Sequence, residues 1–408
     1  MGLIQKKRIK QPPVIIEKGT VEDDTGKKFT VDFVGDDNDF VNISYADEKK
    51  EDETIKDLLR QNMNQIHDIC FVNDYSHLLV GCDKGLLYVY KRIKNNKSNL
   101  KFEEVAHYKP HEKSIVQIIQ LQSGFTLTLC SDSSCKILNI VTDENDVLYE
   151  NENKFEEIQT LLEASESSNN CAIELESGNL IISQGFFINF FEKNSNGMSA
   201  SESVLLTNPL NLVKNKEYHL SKKIFTNSDN IIFTEIDSKT IAASQISSKQ
   251  LLFYNVEDYS LIKSINKIEF SENKNCMCLI NKETLAIGGN NGSIYLVNTN
   301  RKQLFLVNHF ENCENISCIK NIDDETIIMG CQYLNNNYDI IIYKIQDNKF
   351  QEVKRKEKTN DGMIHDIKLI TMDISNNNNP FTNKFNVLTL GHDYKVKLLL
   401  DKIDEIKN

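Results

Sequence analysis

No stretch of this 408-residue chain approaches the roughly 18 consecutive apolar residues that a membrane-spanning helix requires, so membrane insertion is not expected. The opening residues, MGLIQKKRIKQPP, carry a basic cluster with no apolar core behind it, which argues against a secretory leader. Lys6 stands where a myristoylation motif requires Ser or Thr. A basic excess is also missing. The 47 Lys and Arg residues face 59 Asp and Glu, leaving a net charge of −12 and a pI near 5.3. Phosphate backbones are held by a positive field, so nucleic acid is not an expected partner. Tryptophan is absent, and with the abundance of Asn, Lys and Ile this has the look of AT-rich coding bias, which weakens composition as a guide to function.

The ten cysteines include no Cys-x-x-Cys pair and no matching His pair, so no metal site is expected. Cys276 and Cys278, Cys130 and Cys135, and Cys313 and Cys318 have apolar neighbours and are expected to be reduced, buried small hydrophobes. An intracellular, cytoplasmic protein is the corresponding expectation, with cytoskeletal or nuclear residence left open. Neither a Gly-x-Ser-x-Gly elbow nor a His-Glu-x-x-His pair occurs, and no enzyme activity is expected. The glycine cluster Gly288-Gly289-Asn290-Asn291-Gly292 leads into Ser293–Val297, a strand pattern without the Lys and helix of a phosphate loop. It is a hairpin turn on this reading, and no cofactor is implied.

What the chain does contain is repetition. Seven times an apolar run meets a small residue at a polar turn and a second apolar run follows. The copies are LLVGCDKGLLYVY (78–90), LTLCSDSSCKILNI (127–140), LIISQGFFINFF (180–191), TIAASQISSKQLLFYNV (240–256), TLAIGGNNGSIYLVN (284–298), TIIMGCQYLNNNYDIIIYKI (326–345) and VLTLGHDYKVKLLL (387–400). β-branched and aromatic residues flanking Gly, Asn, Asp or Ser predict two antiparallel strands in each copy. With Gly81, Cys130, Ser183, Ser244, Gly288, Gly330 and Gly391 as anchors, the spacings are 49, 53, 61, 44, 42 and 61 residues. The shortest match the roughly 40–45 residues of one four-stranded propeller blade, and the longer ones leave room for insertions.

The second copy resembles a WD40 repeat in order and spacing. His111 precedes Ile115–Leu121, Ser123-Gly124 forms a turn, and LTLCSD and Cys135–Leu138 follow. The resemblance spans roughly residues 65–400, although the closing Trp-Asp pair is absent and Tyr90, Asn139-Ile140, Tyr254-Asn255 and Tyr343 stand in its place. It implies an all-β, seven-bladed WD40-like β-propeller. It also implies that His111 and Asp132 belong to a hydrogen-bonded network fixing the turn, with Asp83 and Asp393 at the same turn position and Asn290 a weaker counterpart. Gly185, Ile246 and Gln332 break the pattern in copies three, four and six.

The expected organisation is an N-terminal extension (1–65), the propeller (66–400) and a short tail (401–408). Alternation at Phe29, Val31 and Phe33 predicts a strand that closes the ring. An acidic loop from Asp36 through Glu53 follows, and Thr54-Ile55-Lys56-Asp57 predicts a capped short helix. The insertions at 141–170, 193–222 and 373–386 are polar; the last contains Asn376–Asn379 and is taken as passive expansion.

Ile66-His67-Asp68-Ile69 recurs as Ile364-His365-Asp366-Ile367, both at entry to an innermost strand. His67, Asp68, His111, His365 and Asp366 are therefore the expected partner-binding positions on the loop face. No Phe-Arg-Arg-Gly lipid signature occurs, and the basic stretches Lys6-Lys7-Arg8 and Lys354-Arg355-Lys356 are short. The expected function is a non-catalytic scaffold that binds other proteins, within a multiprotein complex. The alternatives are a permanent subunit of a cytoskeletal or coat-type assembly, and a propeller enzyme acting at the central channel.

Overall fold

The computed structural model describes residues 15–22, 28–34, 41–45, 55–59, 65–72, 75–93, 101–140, 155–166, 171–194, 217–227, 231–271, 276–334, 336–371, 385–393 and 396–399. Residues 36–40 and 46–53 of the acidic segment, most of the polar insertions, the asparagine run and the tail 401–408 lie outside them. The chain forms two compact units, residues 1–55 and 56–408. The first holds an antiparallel sheet of β1 (Ile15–Glu22), β2 (Lys28–Val34) and β3 (Val41–Tyr45), with Thr20 opposite Thr30 and Val31 opposite Ile43.

The second unit holds seven four-stranded sheets, the blades of a propeller. Blade 1 is β5 (Ile66–Val72), β6 (His77–Cys82), β7 (Leu87–Ile93) and β8 (Lys101–Tyr108). Blade 2 is β9 (Ile115–Gln120), β10 (Thr126–Cys130), β11 (Cys135–Ile140) and β12 (Phe155–Leu162). Blade 3 is β13 (Ala172–Glu174), β14 (Leu180–Gln184), β15 (Phe187–Lys193) and β16 (Tyr218–Phe225). Blade 4 is β17 (Ile231–Asp237), β18 (Thr240–Gln245), β19 (Gln250–Asn255) and β20 (Leu261–Asn266). Blade 5 is β21 (Met277–Asn281), β22 (Thr284–Gly288), β23 (Ser293–Asn298) and β24 (Gln303–His309). Blade 6 is β25 (Cys313–Asp323), β26 (Thr326–Tyr333), β27 (Asn337–Gln346) and β28 (Lys349–Asn360). Blade 7 is β29 (Ile364–Thr371), β30 (Phe385–Gly391), β31 (Val396–Leu399) and, reaching back in the chain, β4 (Ile55–Leu59).

Three expectations for the N-terminal region are corrected by this arrangement, the first being that residues 41–45, expected within the acidic loop, form a strand paired with β2. The Phe29–Val34 strand forms, but it pairs within the small three-stranded sheet. Ile55–Leu59, expected as a short helix, is an extended strand in the seventh blade. A helix of so few residues is marginal on its own, whereas an open sheet edge offers every alternate backbone group a partner.

The repeated phrase has a direct physical origin. The second strand of each blade has sheet on both sides within it and a neighbouring blade over each face. Hence β6, β10 and β18 are buried at every position, and their sequences are continuous apolar or small-residue runs. The outer strand faces solvent, and β24 alternates between half-buried and exposed. Adjacent blades meet through their inner strands, as between β5 and β9, or β25 and β29. The small residue in the phrase marks close approach between blades: a Cβ on Gly81 would lie 2.8 Å from Ile115 of blade 2, and one on Gly288 2.8 Å from both Cγ2 and the carbonyl of Ile316 in blade 6. A bulge recurs between the third and fourth strands, at Val89/Tyr90, Ile137/Leu138, Phe190/Phe191, Phe253/Tyr254, Leu296/Val297 and Ile342/Tyr343. Bulges sharpen local twist, which suits blades radiating from an axis. None of the ten cysteines is in a disulfide, and all but Cys70 and Cys278 are buried. No helix among the described residues is long and apolar enough to cross a membrane.

Candidate functional site

One face of the ring carries the turns between second and third strands together with the connections that enter each inner strand. On blade 2 these two segments are joined by side chains. His111, 3 % exposed, places Nδ1 2.7 Å from Ser134 Oγ and Nε2 2.9 Å from Thr128 Oγ1. Ser134 in turn donates both its hydroxyl (2.7 Å) and its backbone N–H (3.0 Å) to Asp132 Oδ1. Because the Ser134 proton goes to Asp132, its oxygen accepts from His111 Nδ1–H, and Nε2 is left to accept from Thr128. His111 and Asp132 are thus linked through Ser134 rather than in direct contact.

Electrostatics agree with a neutral imidazole. Burial, helped by nearby Lys136, pushes the His111 pKa down to about 4, while Asp132 and Glu157 oppose the shift. Burial alone would raise Asp132, but the Ser134 hydroxyl, Cys130, the Ser134 N–H and His111 together hold it below the ordinary carboxylate range. Donor atoms of His111, Cys130 and Asp132 lie within 4.8 Å of one another. Both ring nitrogens already meet hydroxyls, so the group acts as a hydrogen-bond relay that locks a turn.

The other turn residues differ from the expectation in register. Cys82 N–H bonds Leu86 O, Cys130 N–H bonds Ser134 O, and Gly289 N–H bonds Ser293 O. This alignment places Lys84 and Asn291 at the Asp132 position. Asp83 and Asn290 stand one residue earlier. Asn291 Oδ1 accepts the Ser293 N–H at 3.1 Å, as Asp132 does from Ser134, while Asn290 is exposed. Asp83 instead accepts the N–H of Gln65 at 3.1 Å, tying its turn to the entry of β5. Asp393 accepts the Asp361 N–H at 3.3 Å and lies 3.5 Å from Lys397 Nζ. Blade 7 repeats the His111–Thr128 contact with an amide: Thr389 Oγ1 donates to Asn360 Oδ1 at 2.9 Å. Thr128, Ser134 and Asn360 were not singled out by the sequence, since single hydroxyls and amides are common and only the fold brings them together.

Three of the five expected partner-binding residues turn inward. Asp68 (3 % exposed) accepts the Ile118 N–H of the next blade at 2.7 Å. Asp366 (2 % exposed) lies 2.8 Å from Lys368 Nζ and 3.6 Å from Lys320 Nζ. With His111, they make contacts inside and between blades and present almost no surface; buried charge is retained only where it is paired. His67 and His365 are half-buried, and the His365 ring stacks on exposed His392 with centroids 3.8 Å apart.

A different group on the same face is exposed. Phe186 (47 %) in the β14–β15 turn and Phe225 (66 %) at the end of β16 stack with centroids 6.2 Å apart. Phe187 meets Phe225 edge-on at 5.6 Å, and Lys223 Nζ lies 4.0 Å from the Phe187 centroid. Thr226 pins the two segments together through N–H and hydroxyl bonds to Phe186 O, at 2.7 and 2.8 Å. Phe186 and Phe187 were visible in GFFINFF, but their neighbour Phe225 is 38 residues away from Phe187 and no local pattern connects them.

No protein-family model matches the chain, and no curated protein matches it in sequence. Solved structures do. Sqt1 of Saccharomyces cerevisiae superposes with a TM-score of 0.58 at 10 % identity, over 92 % of this chain and 91 % of that one. U3-55K gives 0.58 at 10 % identity, over 86 % and 99 %, and the WD40 repeats of RRP9 give 0.56 at 10 %, over 85 % and 97 %. The fold is therefore that of a seven-bladed WD40-type propeller.

Proposed function

We propose that this chain is a non-catalytic interaction platform whose turn-bearing face engages a partner protein at blade 3. The observation that carries this reading is the Phe186–Phe187–Phe225 cluster. Clustered solvent-facing aromatics are costly in water and characterise the anchors of protein interfaces. Lys222 and Lys223 on β16 are exposed beside it, so the matching partner segment combines apolar side chains with carboxylates. Rigidity suits the role, because the cluster sits on strand ends and a pinned turn rather than on a long loop.

Affinity purification of the full chain from its native cell, coupled to mass spectrometry, tests this. A stoichiometric partner should be lost from a Phe186→Ser, Phe225→Ser double variant whose melting temperature is unchanged. The same partners retained by the folded double variant would refute the assignment. A cytoplasmic location belongs to this reading and is checked by imaging a tagged chain.

A second reading, a permanent subunit of a larger assembly, is favoured by the rim of blades 4 and 5. There Leu261, Ile262, Phe305 and Val307, on outer strands β20 and β24, are each between 43 and 53 % exposed. In that case the Leu261→Ser, Val307→Ser variant, not the blade 3 variant, should release the complex.

A further inference from the structure

The opposite end of the central channel carries a cavity of about 490 Å³, within the range of small-molecule sites. Its wall comes from the inner strands of four blades and the turn after β5, and includes Phe71, Tyr75, Gln120, Lys320 and Lys368, with the Cys70 thiol beside them. We infer that this mouth binds a small organic anion, a carboxylate or phosphate group joined to a flat apolar body.

The charges are layered. Asp366 and Asp68 are buried behind the cavity and do not line it, whereas the Lys320 and Lys368 side chains do, with about a third of their area exposed. Each ammonium has three donors. Asp366 lies 3.6 Å from the Lys320 ammonium and 2.8 Å from that of Lys368. The two lysines line the cavity and the two aspartates do not, so the nearer charges at the mouth are positive. Burial works against charged Lys368, yet Asp366, Asp68 and Cys70 hold its pKa above the usual lysine range, so it is an ammonium at neutral pH. The Gln120 and Asn321 amides add polar edges, and the Phe71 and Tyr75 rings, 5.4 Å apart, supply an apolar wall. The chain as a whole carries −12, so anion capture here would be the work of this local geometry rather than of the general field.

Calorimetric titration of the full chain with phenyl phosphate, benzoate, inorganic phosphate and phenol tests the assignment. Phenyl phosphate or benzoate should bind at one site and slow alkylation of Cys70 by iodoacetamide; which of the two binds better separates phosphate from carboxylate. Lys320→Gln should weaken that binding at least tenfold, with the melting temperature retained. Lys368→Gln would strand Asp366 and can fail to fold, so the partly exposed Lys320 variant decides. The inference is overturned if neither organic anion binds at millimolar concentration, if phenol binds as well as phenyl phosphate, or if folded Lys320→Gln binds as tightly as the parent.

Discussion

His111 makes one residue the carrier of a measurable pH dependence. Its pKa in the fold, about 4, lies below the unfolded value near 6.5, so the unfolded chain takes up a proton first as pH falls. The neutral-His contribution is thus complete above about pH 6.5 and is lost progressively towards pH 4, by on the order of 3 kcal/mol. Urea denaturation across this range should show the loss. His111→Asn, which copies the Asn360–Thr389 pair of blade 7, should remain folded and flatten the curve over that window. His111→Ala leaves Ser134 and Thr128 short of partners and should cost about 1–3 kcal/mol at pH 7. A relation between His111 and Asp132 was expected only from the resemblance to a WD40 repeat, and Ser134, which bonds to both, was not expected at all. The register of Asp83 and Asn290 was not legible: a side-chain acceptor must stand two residues before the N–H it caps, and two adjacent asparagines before Gly292 (φ 71°) give no local clue which does so.

At the scale of elements, the inner-strand contacts explain why the repeat keeps a small residue although most signature residues are gone. Gly288→Ala puts a methyl group against Ile316 side chain and backbone, and should destabilise by about 1–3 kcal/mol in denaturant titration. The strands of the repeats were legible because full burial writes itself as unbroken apolar runs. The closing strand was harder to read, since Ile55–Leu59 is short, carries Lys56 and Asp57, and has local helix signals that only a distant sheet edge can override. Comparing chains that begin at residue 51 and at residue 61 isolates it. The shorter one should melt several degrees lower and self-associate, through the exposed edge of β31.

For the molecule as a whole, repeat spacing identified the ring, because seven units of similar length have few other ways to bury their faces. The interaction surface was not legible in the same way. Phe186 and Phe225 come together only when a turn and an outer strand end meet, and the histidines that looked suited to recognition are partly or wholly occupied with internal contacts. If Lys222 and Lys223 steer an acidic partner, surface plasmon resonance should show association slowing as salt rises, with dissociation changing less. Reversing both charges to Glu should slow association further while leaving the melting temperature in place.

The seventh blade has one further consequence, set by the order in which the chain is made. β4 emerges from the ribosome early, whereas its partner β31 follows roughly 340 residues later. At ordinary elongation rates the first strand waits about 17–70 s with none of its hydrogen bonds to blade 7 made. Six blades can assemble in sequence during that interval, but the ring stays an open arc until β31 arrives. A nascent chain stalled before residue 396 should therefore be readily captured by strand-binding chaperones, and emergence of β31 should end that capture in a single step.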